Sequence, residues 1–238
     1  MTRRRVVVTG LGAISPVGNT VAEAWDAITN GRSGIGEITR FDTSSFPVKI
    51  AGEVRNFDVA AYLSPKEARR MDKFIHYGLA AGVQAFRDSG LEVNEANAHR
   101  IGVNIGSGIG GLPMIEDTHD DFLAGGARKI SPFFIPGTII NMISGNLSIM
   151  FGMKGPNLAV VTACTTGLHA IGMSARMIEY GDADVMIAGG AESTVSQLGV
   201  GGFCAARALS TPAIIFLATD FSMWSGPTQF AGRSAYEA

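Results

Sequence analysis

One cysteine of this chain stands where a short apolar segment gives way to a helical one. The run 158–163 is apolar and β-branched, Cys164 follows it, and small residues then recur at helical spacing. A thiol in the first turn of a helix lies near the positive end of the helix dipole and near unpaired backbone N–H groups, which favour the thiolate. Cys164 is therefore a candidate nucleophile. The alternative is a small buried apolar residue, because free cysteines are commonly buried.

Two glycine clusters follow predicted strands and could cradle a phosphate group. Gly10 and Gly12 fit the start of a dinucleotide fingerprint, but Ser15 stands where its third glycine belongs. The cluster at 106–111 lacks the Lys-Ser/Thr pair of a phosphate loop. Both clusters are more simply turns where one backbone segment passes close to another. We therefore predict no nucleotide cofactor, and no metal site either.

Basic residues recur at helical spacing in the segment that begins at Ser64. Lys66, Arg69 and Arg70 stand at i, i+3 and i+4, and Lys73 follows one turn later. Such spacing places them on one face of a helix. The face could be an ordinary solvated one, or it could attract an anionic partner by charge complementarity. The pattern alone leaves both interpretations open.

The elements that must position these residues alternate between strands and helices. Apolar runs predict strands at 5–9, 100–105, 158–163 and 185–188. Helical periodicity with capping residues and glycine stops predicts helices at 20–30, 64–90, 139–151 and 166–180. The alternation predicts an α/β fold with a mixed, mostly parallel sheet that is covered on both faces.

Composition agrees with this fold and excludes other classes. Hydrophobic residues make up 46% of the chain, charged residues 17%, and 31 residues are glycine, which favours a well-buried α/β protein over a disordered one. The net charge of -2 gives no reason to expect a nucleic-acid partner. The basic start lacks a long apolar stretch, so we expect neither a signal peptide nor a membrane anchor. Two cysteines are too few for a disulfide framework, and we expect a cytoplasmic location.

Six motifs, taken in order, resemble those of one family. They are VVTGLG at 7–12, GSGIGG at 106–111, ISPFFIP at 130–136, TACTTG at 162–167, DVMIAGGAE at 184–192 and GGFCAARALS at 201–210. Over residues 1–210 the chain resembles the bacterial β-ketoacyl-acyl-carrier-protein synthase II family, condensing enzymes of fatty-acid elongation. The resemblance implies a thiolase-like fold, of which this chain would form the N-terminal half of an αβαβα layered architecture.

The resemblance implies a role for each candidate residue and no cofactor. Cys164 would take an acyl group from acyl carrier protein, and malonyl carrier protein would lose carbon dioxide and accept it. The resemblance assigns substrate binding to Ile109, which matches a position lining the acyl tunnel, and to Phe134, which matches a loop contributed across the family's homodimer interface. The residues that match the carrier-protein surface are Lys66, Arg69, Arg70 and Arg207. His169 matches no catalytic histidine, so we predict a packing or dimer-face role for it.

The segment 211–238 shows no resemblance to the family. We expect an incomplete N-terminal synthase domain at 1–210, a divergent or frame-shifted tail at 211–238, and no C-terminal synthase domain. The resemblance assigns both catalytic histidines, a supporting lysine and a gating loop with one oxyanion donor to that C-terminal domain. Loss of one oxyanion donor typically costs about 100- to 1,000-fold in rate. We therefore expect weak or no condensation from the chain.

Two alternatives to a condensing enzyme stay open. One is a non-catalytic protein that binds acyl carrier protein or an intact synthase, and the other is a truncated product without function. A single half would also expose the apolar face of the helix after Cys164, and the uncharged run 214–218 could promote aggregation. We therefore expect poor solubility, or rescue by a partner.

Overall fold

A parallel three-stranded sheet organises the protein. The computed structural model describes residues 4–210. The strand order is β4-β3-β5, where β3 is Ile101–Gly106, β4 is Asn157–Leu158 and β5 is Val185–Gly190. β3 and β5 pair in parallel along their whole length, whereas β4 pairs with β3 over two residues. The carboxyl ends of all three strands therefore meet at one edge of the sheet.

A short antiparallel pair and eight helices complete the part of the chain between residues 4 and 210. β1 (Ile35–Glu37) pairs with β2 (Ile50–Gly52). The helices are α1 (Val21–Thr29), α2 (Pro65–Ala68), α3 (Lys73–Asp88), α4 (Leu112–Gly125), α5 (Phe134–Thr138), α6 (Met142–Phe151), α7 (Thr166–Tyr180) and α8 (Gln197–Ala205). Within those residues no helix combines the length and the apolar character needed to cross a bilayer.

The main core lies between β3 and the helices α3 and α6. Every residue of β3 is buried, and alternate side chains join one apolar cluster with those of the two helices. The largest fully buried members of that cluster are Phe74, Ile75, Leu79, Ile101, Ile143 and Leu147. Burying each such side chain is worth about 1.5–3 kcal/mol. The sheet is covered on its other face by α7, where the Asn104 amide donates to the carbonyl oxygen of Ala170 at 3.2 Å. Both faces are thus covered, as the sequence predicts.

Four predicted elements are confirmed because their signals are local. α7 has the predicted bounds, and β3 and β5 agree with the predicted strands within one or two residues. α1 is capped by Thr20, whose side chain accepts from the backbone N–H of Glu23. The Glu23 carboxylate accepts from the backbone N–H of Asn19 at 2.7 Å, and not from the backbone N–H of Thr20 as a regular capping box would require.

The single helix predicted at 64–90 is wrong in its middle. The chain forms α2 and then α3, and between them Asp72 is extended, with φ −67° and ψ 158°. The Asp72 carboxylate accepts from the N–H of Phe74 at 3.1 Å and from that of Met114 at 3.0 Å. This buried carboxylate starts α3 and ties it to α4, and its burial raises its pKa. The basic residues from Lys66 to Lys73 therefore do not share one continuous helical face.

Three other predicted boundaries need correction. Residues 5–9 join no ladder within residues 4–210, and the side chains of Val7 and Val8 are 64% and 77% exposed. The strand predicted at 158–163 is reduced to β4, because the chain leaves the sheet after Leu158 and turns toward Cys164. The helix predicted at 139–151 begins at Met142. The tail 211–238, with the run 214–218, lies outside the described residues.

The first glycine cluster is a close backbone contact, as predicted. A Cβ atom on Gly12 would lie 1.9 Å from the carbonyl oxygen of Ala81, and one on Gly10 would lie 2.3 Å from that of Ala85. The segment 10–12 therefore packs directly on the backbone of α3. Any side chain larger than that of glycine is excluded at these two positions because it would collide with the backbone of α3, and no phosphate group is needed to explain the glycines.

Gly12→Ala is expected to lower the free energy of unfolding by about 1–3 kcal/mol, the usual penalty for overpacking. The matched control is Gly172→Ala in α7, where an added Cβ atom meets no atom within 4 Å. Alanine is the better helix former, so the control should be neutral or stabilised by about 0.5–1 kcal/mol. Urea unfolding followed by circular dichroism measures both. Equal stabilities would contradict the close contact.

Candidate active site

Cys164 lies on a strained turn between β4 and α7. A 3₁₀ turn spans Ala163–Thr165 and runs directly into the first residue of α7. Ala163 has φ +54°, in the left-handed region that residues with a side chain rarely adopt and that costs about 1–2 kcal/mol. The Cys164 side chain is exposed, so the alternative of a buried apolar residue is wrong. The turn presents the thiol outward at the start of a helix.

Threonine hydroxyls fix this turn. The Thr166 hydroxyl accepts from the N–H of Thr162 at 2.9 Å and donates to the carbonyl oxygen of Ala163 at 2.7 Å. The Thr165 hydroxyl donates to the carbonyl oxygen of Thr162, also at 2.7 Å. Because Thr166 is buried, its two bonds are shielded from water. The backbone on both sides of the thiol is therefore held in place.

Two glycines at the carboxyl ends of the strands bring the sheet against the turn. A Cβ atom on Gly106, the last residue of β3, would lie 1.9 Å from the carbonyl oxygen of Val160. One on Gly190, the last residue of β5, would lie 3.0 Å from the backbone nitrogen of Gly167. The thiol thus stands at the carboxyl edge of a parallel sheet, the usual place for a site in open α/β folds.

A carboxylate at the end of β5 holds the second glycine cluster. One oxygen of Glu192 accepts from the Ser107 hydroxyl at 3.0 Å, and the other accepts from the N–H of Ile109 at 2.9 Å. Ser107 in turn accepts from the N–H of Gly110 at 3.1 Å. Burial raises the pKa of Glu192, and these hydrogen bonds oppose that effect. The sequence shows Glu192 only as the end of a motif, and its position after a buried strand is the one signal that could have identified it.

An apolar groove of about 390 Å³ opens beside this cluster. Its lining comprises Ile109, Ile115, Thr138, Ile139, Ile140, Asn141, Ala159 and Val161. The structure therefore places Ile109 in the wall of a groove. Val161, three residues before Cys164, belongs to the same wall. The structure does not place Phe134 there: that half-buried residue begins α5, while Thr138 at the other end of the helix lines the groove.

The predicted basic residues lie on two separate elements. Lys66 is exposed on α2, and Arg69 caps its end and donates from Nε to the carbonyl oxygen of Pro65 at 3.1 Å. The Arg70 guanidinium lies 4.0 Å from the centre of the Phe133 ring, a cation–π contact that leaves it half-buried. Arg207 is exposed just after α8.

His169 is exposed on the first turns of α7, and its Nδ1 lies 3.3 Å from the Thr162 hydroxyl. It therefore contacts the turn that carries the cysteine, and its predicted packing or dimer-face role stays a prediction. Between residues 4 and 210, no three His, Cys, Asp or Glu side chains are grouped so as to hold a metal ion.

These features define a class of protein. An exposed cysteine stands on a strained turn, at the carboxyl edge of a parallel sheet and beside an apolar groove, so the chain is an α/β protein with an accessible thiol where open α/β folds usually place a site. The family model described as the β-ketoacyl synthase N-terminal domain matches residues 3–223. The chain belongs to the β-ketoacyl synthase family, which is a family of acyltransferases.

Curated relatives agree with this assignment. The chain is 63% identical over 211 residues to 3-oxoacyl-[acyl-carrier-protein] synthase 2 of Vibrio cholerae, covering 89% of this chain and 51% of that protein. It is 59% identical to the protein of the same name from Coxiella burnetii, with the same coverage. The Staphylococcus aureus protein is 48% identical over 87% of this chain and 50% of its own length. The chain thus spans about half the length of the curated relatives it matches.

Solved structures confirm the thiolase-like fold class. The ishigamide ketosynthase/chain length factor has a TM-score of 0.77 and 29% identity, over 88% of this chain and 52% of its own. A β-ketoacyl synthase from Burkholderia phymatum has a TM-score of 0.76 and 27% identity, over 89% and 52%. A type II polyketide ketosynthase in complex with its acyl carrier protein has a TM-score of 0.72 and 28% identity, over 85% and 55%.

Thr166→Val should loosen the turn that carries the thiol. The change keeps the side-chain shape but removes the hydroxyl that accepts from the N–H of Thr162. The Ala163 carbonyl oxygen still accepts from the backbone N–H of Thr166, but the N–H of Thr162 loses its partner, which costs about 1–3 kcal/mol. Thr166→Ser, which retains the hydroxyl, is the matched control and should lie closer to the parent chain. Urea unfolding gives the difference, and equal destabilisation by both changes would contradict the role of the hydroxyl.

Proposed function

We propose that the chain provides the acyl-accepting part of a 3-oxoacyl-[acyl-carrier-protein] synthase of fatty-acid elongation. The single observation that carries the proposal is the exposed Cys164 on a strained turn at the start of a 15-residue helix. The helix dipole and the N–H groups of its first turn favour negative charge at that position. The names of the curated relatives supply the substrate class.

In the first step the Cys164 thiolate attacks the thioester carbonyl carbon of an acyl carrier protein. The new S–C bond replaces that of the carrier, whose thiolate leaves and takes up a proton, so the acyl group becomes a thioester of Cys164. The apolar groove beside the turn is suited to an alkyl chain, and we assign Ile109 to its wall. Phe134 keeps its assignment to a loop at a homodimer interface.

In the second step malonyl carrier protein loses carbon dioxide, and the resulting carbanion attacks the carbonyl carbon of the acyl-cysteine. The S–C bond breaks, the thiolate returns, and 3-oxoacyl carrier protein is released. The family resemblance assigns the histidines of this step beyond the half of the relatives that this chain matches. For the 238-residue chain assayed by itself we therefore expect acylation of Cys164 but weak or no condensation.

Acyl carrier protein is the partner we propose for the basic residues. Lys66, Arg69 and Arg207 are exposed and could meet an anionic surface, while Arg70 is held against Phe133. One structural relative was solved as a ketosynthase with its acyl carrier protein, which supports this choice. The proposal includes a cytoplasmic location, on the basis of cysteine usage.

A second candidate is a binding protein that pairs with an intact synthase. It is favoured by apolar side chains left exposed on α6 and α7, among them Ile149 at 79% and Leu168 at 63%. Surfaces of this kind commonly mark an interface. Such a protein would bind carrier protein or a synthase without forming a thioester, and a non-functional product would do neither.

The acylation step can be tested by intact-protein mass spectrometry. Incubation with acyl carrier protein that carries a thioester-linked acyl group should increase the mass of the chain by one acyl group, and Cys164→Ala should abolish this adduct. Cys204→Ala is the matched control and should keep it, because Cys204 lies on α8 and packs against the cluster of Ile38, Val195 and Val200. With malonyl carrier protein added, 3-oxoacyl product should form slowly or not at all.

Three results would contradict the expected acylation and condensation, each in a different way. An adduct that persists in Cys164→Ala would assign the nucleophile to another residue. Normal condensation by the chain alone would show that the second half of the family is dispensable. Absence of any adduct, with retained binding of carrier protein, would favour the second candidate.

The carrier-protein surface can be tested by charge reversal. Arg69→Glu combined with Lys66→Glu should weaken binding of acyl carrier protein about tenfold or more, that is by at least ~1.4 kcal/mol, and added salt should reduce the difference. The control is Lys154→Glu, an exposed lysine that precedes β4 at the opposite, amino edge of the sheet. Fluorescence anisotropy with labelled carrier protein measures both. Equal weakening by the control would contradict a localised surface.

A further inference from the structure

The turn 107–110 stands between two elements that are distant in sequence. On one side is the Glu192 carboxylate, which follows β5, and on the other is Ala163, which precedes the cysteine. A Cβ atom on Gly108 would lie 2.9 Å from a Glu192 oxygen and 3.4 Å from the Cα atom of Ala163. Any movement of this turn therefore changes both the groove wall and the space in front of the thiol.

The carboxylate fixes the turn from several directions. One of its oxygens accepts from the Ser107 hydroxyl and the other accepts from the N–H of Ile109. Ser107 is 1% exposed, and its hydroxyl oxygen accepts in turn from the N–H of Gly110. Together these bonds hold Ser107, Ile109 and Gly110.

The same carboxylate forms no salt bridge within residues 4–210. A half-buried carboxylate without a cation is held by hydrogen bonds alone, and each charge-assisted bond of this kind is about twice as strong as a neutral one. The hydroxyl and the N–H group from which it accepts both belong to the turn. The hydrogen bonds of Glu192 therefore stabilise the conformation of that turn and not a contact between charged surfaces.

Ile109 connects the turn with the groove. Its N–H is bonded to Glu192 while its side chain, 42% exposed, forms part of the groove wall. Because a backbone hydrogen bond at 2.9 Å fixes the Cα position, it also fixes where the side chain can reach. Glu192, which follows β5, thus helps to fix the position of the groove wall at Ile109.

We infer that Glu192 is a positioning residue for chain-length selection: through Ser107 and Ile109 it sets the groove wall that an alkyl chain on Cys164 must pass. The inference rests on the proposed function, in which the groove holds the acyl chain. Glu192 acts through Ile109 and does not take part in the bond-forming steps. Its removal should therefore change which chain is accepted more than whether the thiol reacts.

The test uses alkylation of Cys164 by N-ethylmaleimide and N-dodecylmaleimide in the full chain carrying Cys204→Ala. The thiolate adds to the maleimide double bond and a proton from water completes the product, so no carrier protein is required. The rate with the dodecyl reagent divided by that with the ethyl reagent, normalised to the same ratio for glutathione, gives a length ratio. In the parent chain this ratio should exceed one.

Glu192→Gln should lower the length ratio about fivefold to tenfold, because an amide nitrogen cannot accept and one of the two donors loses its partner. The rate with the ethyl reagent should change by less than the length ratio does. Glu192→Asp, which retains the charge on a shorter side chain, should recover part of the ratio. Ser107→Ala should act in the same direction, and it serves if Glu192→Gln does not fold.

The matched control is Glu116→Gln. Glu116 is also a carboxylate that accepts from a hydroxyl and a backbone N–H, those of Ser196 and Leu198 at the start of α8, and it does not touch the turn 107–110. Its length ratio should match that of the parent. A ratio of one in the parent, an unchanged ratio in both Glu192→Gln and Ser107→Ala, or an equal fall in Glu116→Gln would overturn the inference.

The outcome is separable from that of the proposed function. If the length ratio depends on Glu192 but acyl carrier protein leaves no thioester on Cys164, the assignment as a synthase fails while the positioning role stands. If the thioester forms and the length ratio does not depend on Glu192, the synthase assignment stands and the positioning role fails.

Discussion

The site depends on how closely the ends of two parallel strands approach the turn before α7. Gly106 and Gly190 end β3 and β5, and neither position has room for a side chain beside Val160 and Gly167. This approach brings a cysteine, a glycine-rich turn and a carboxylate to one edge of the sheet, although they are far apart in sequence. A parallel sheet makes this possible because its strands all end on the same side.

Two carboxylates, one buried and one half-buried, join separate elements of the structure. Asp72 begins α3 while accepting from α4, and Glu192 follows β5 while accepting from the turn after β3. In both cases burial raises the pKa and backbone N–H groups oppose the shift. Each carboxylate joins segments that are 42 or more positions apart in sequence. Hydrogen bonds to a charged group are the strong ones, which suits them to this purpose.

The sequence predicts what is local and misses what depends on distant contacts. The bounds of α7 and the capping of α1 follow from residues within a few positions of each end. The break between α2 and α3 does not, because it depends on Asp72 accepting from Met114, which lies 42 positions away. The role of Glu192 depends on partners more than 80 positions away, so its residue type alone could not indicate it.

The candidate site divides in the same way. Cys164 was identifiable because a strand-to-helix transition is visible in a short window, and Ile109 and the basic residues required the family resemblance. The separation of Phe134 from the groove and the stacking of Arg70 on Phe133 depend on how α5 packs. The short β4 was not predictable either, because the apolar residues Ala159 and Val161 line a groove instead of extending the sheet.

The left-handed backbone of Ala163 limits how this protein can change over time. Among the amino acids that one nucleotide change can produce from alanine, glycine and aspartate tolerate a φ of +54°. Valine and threonine are β-branched and proline has a fixed negative φ, so each would have to displace the turn. The residue beside Cys164 is therefore restricted by its backbone conformation, independently of any chemistry at the thiol.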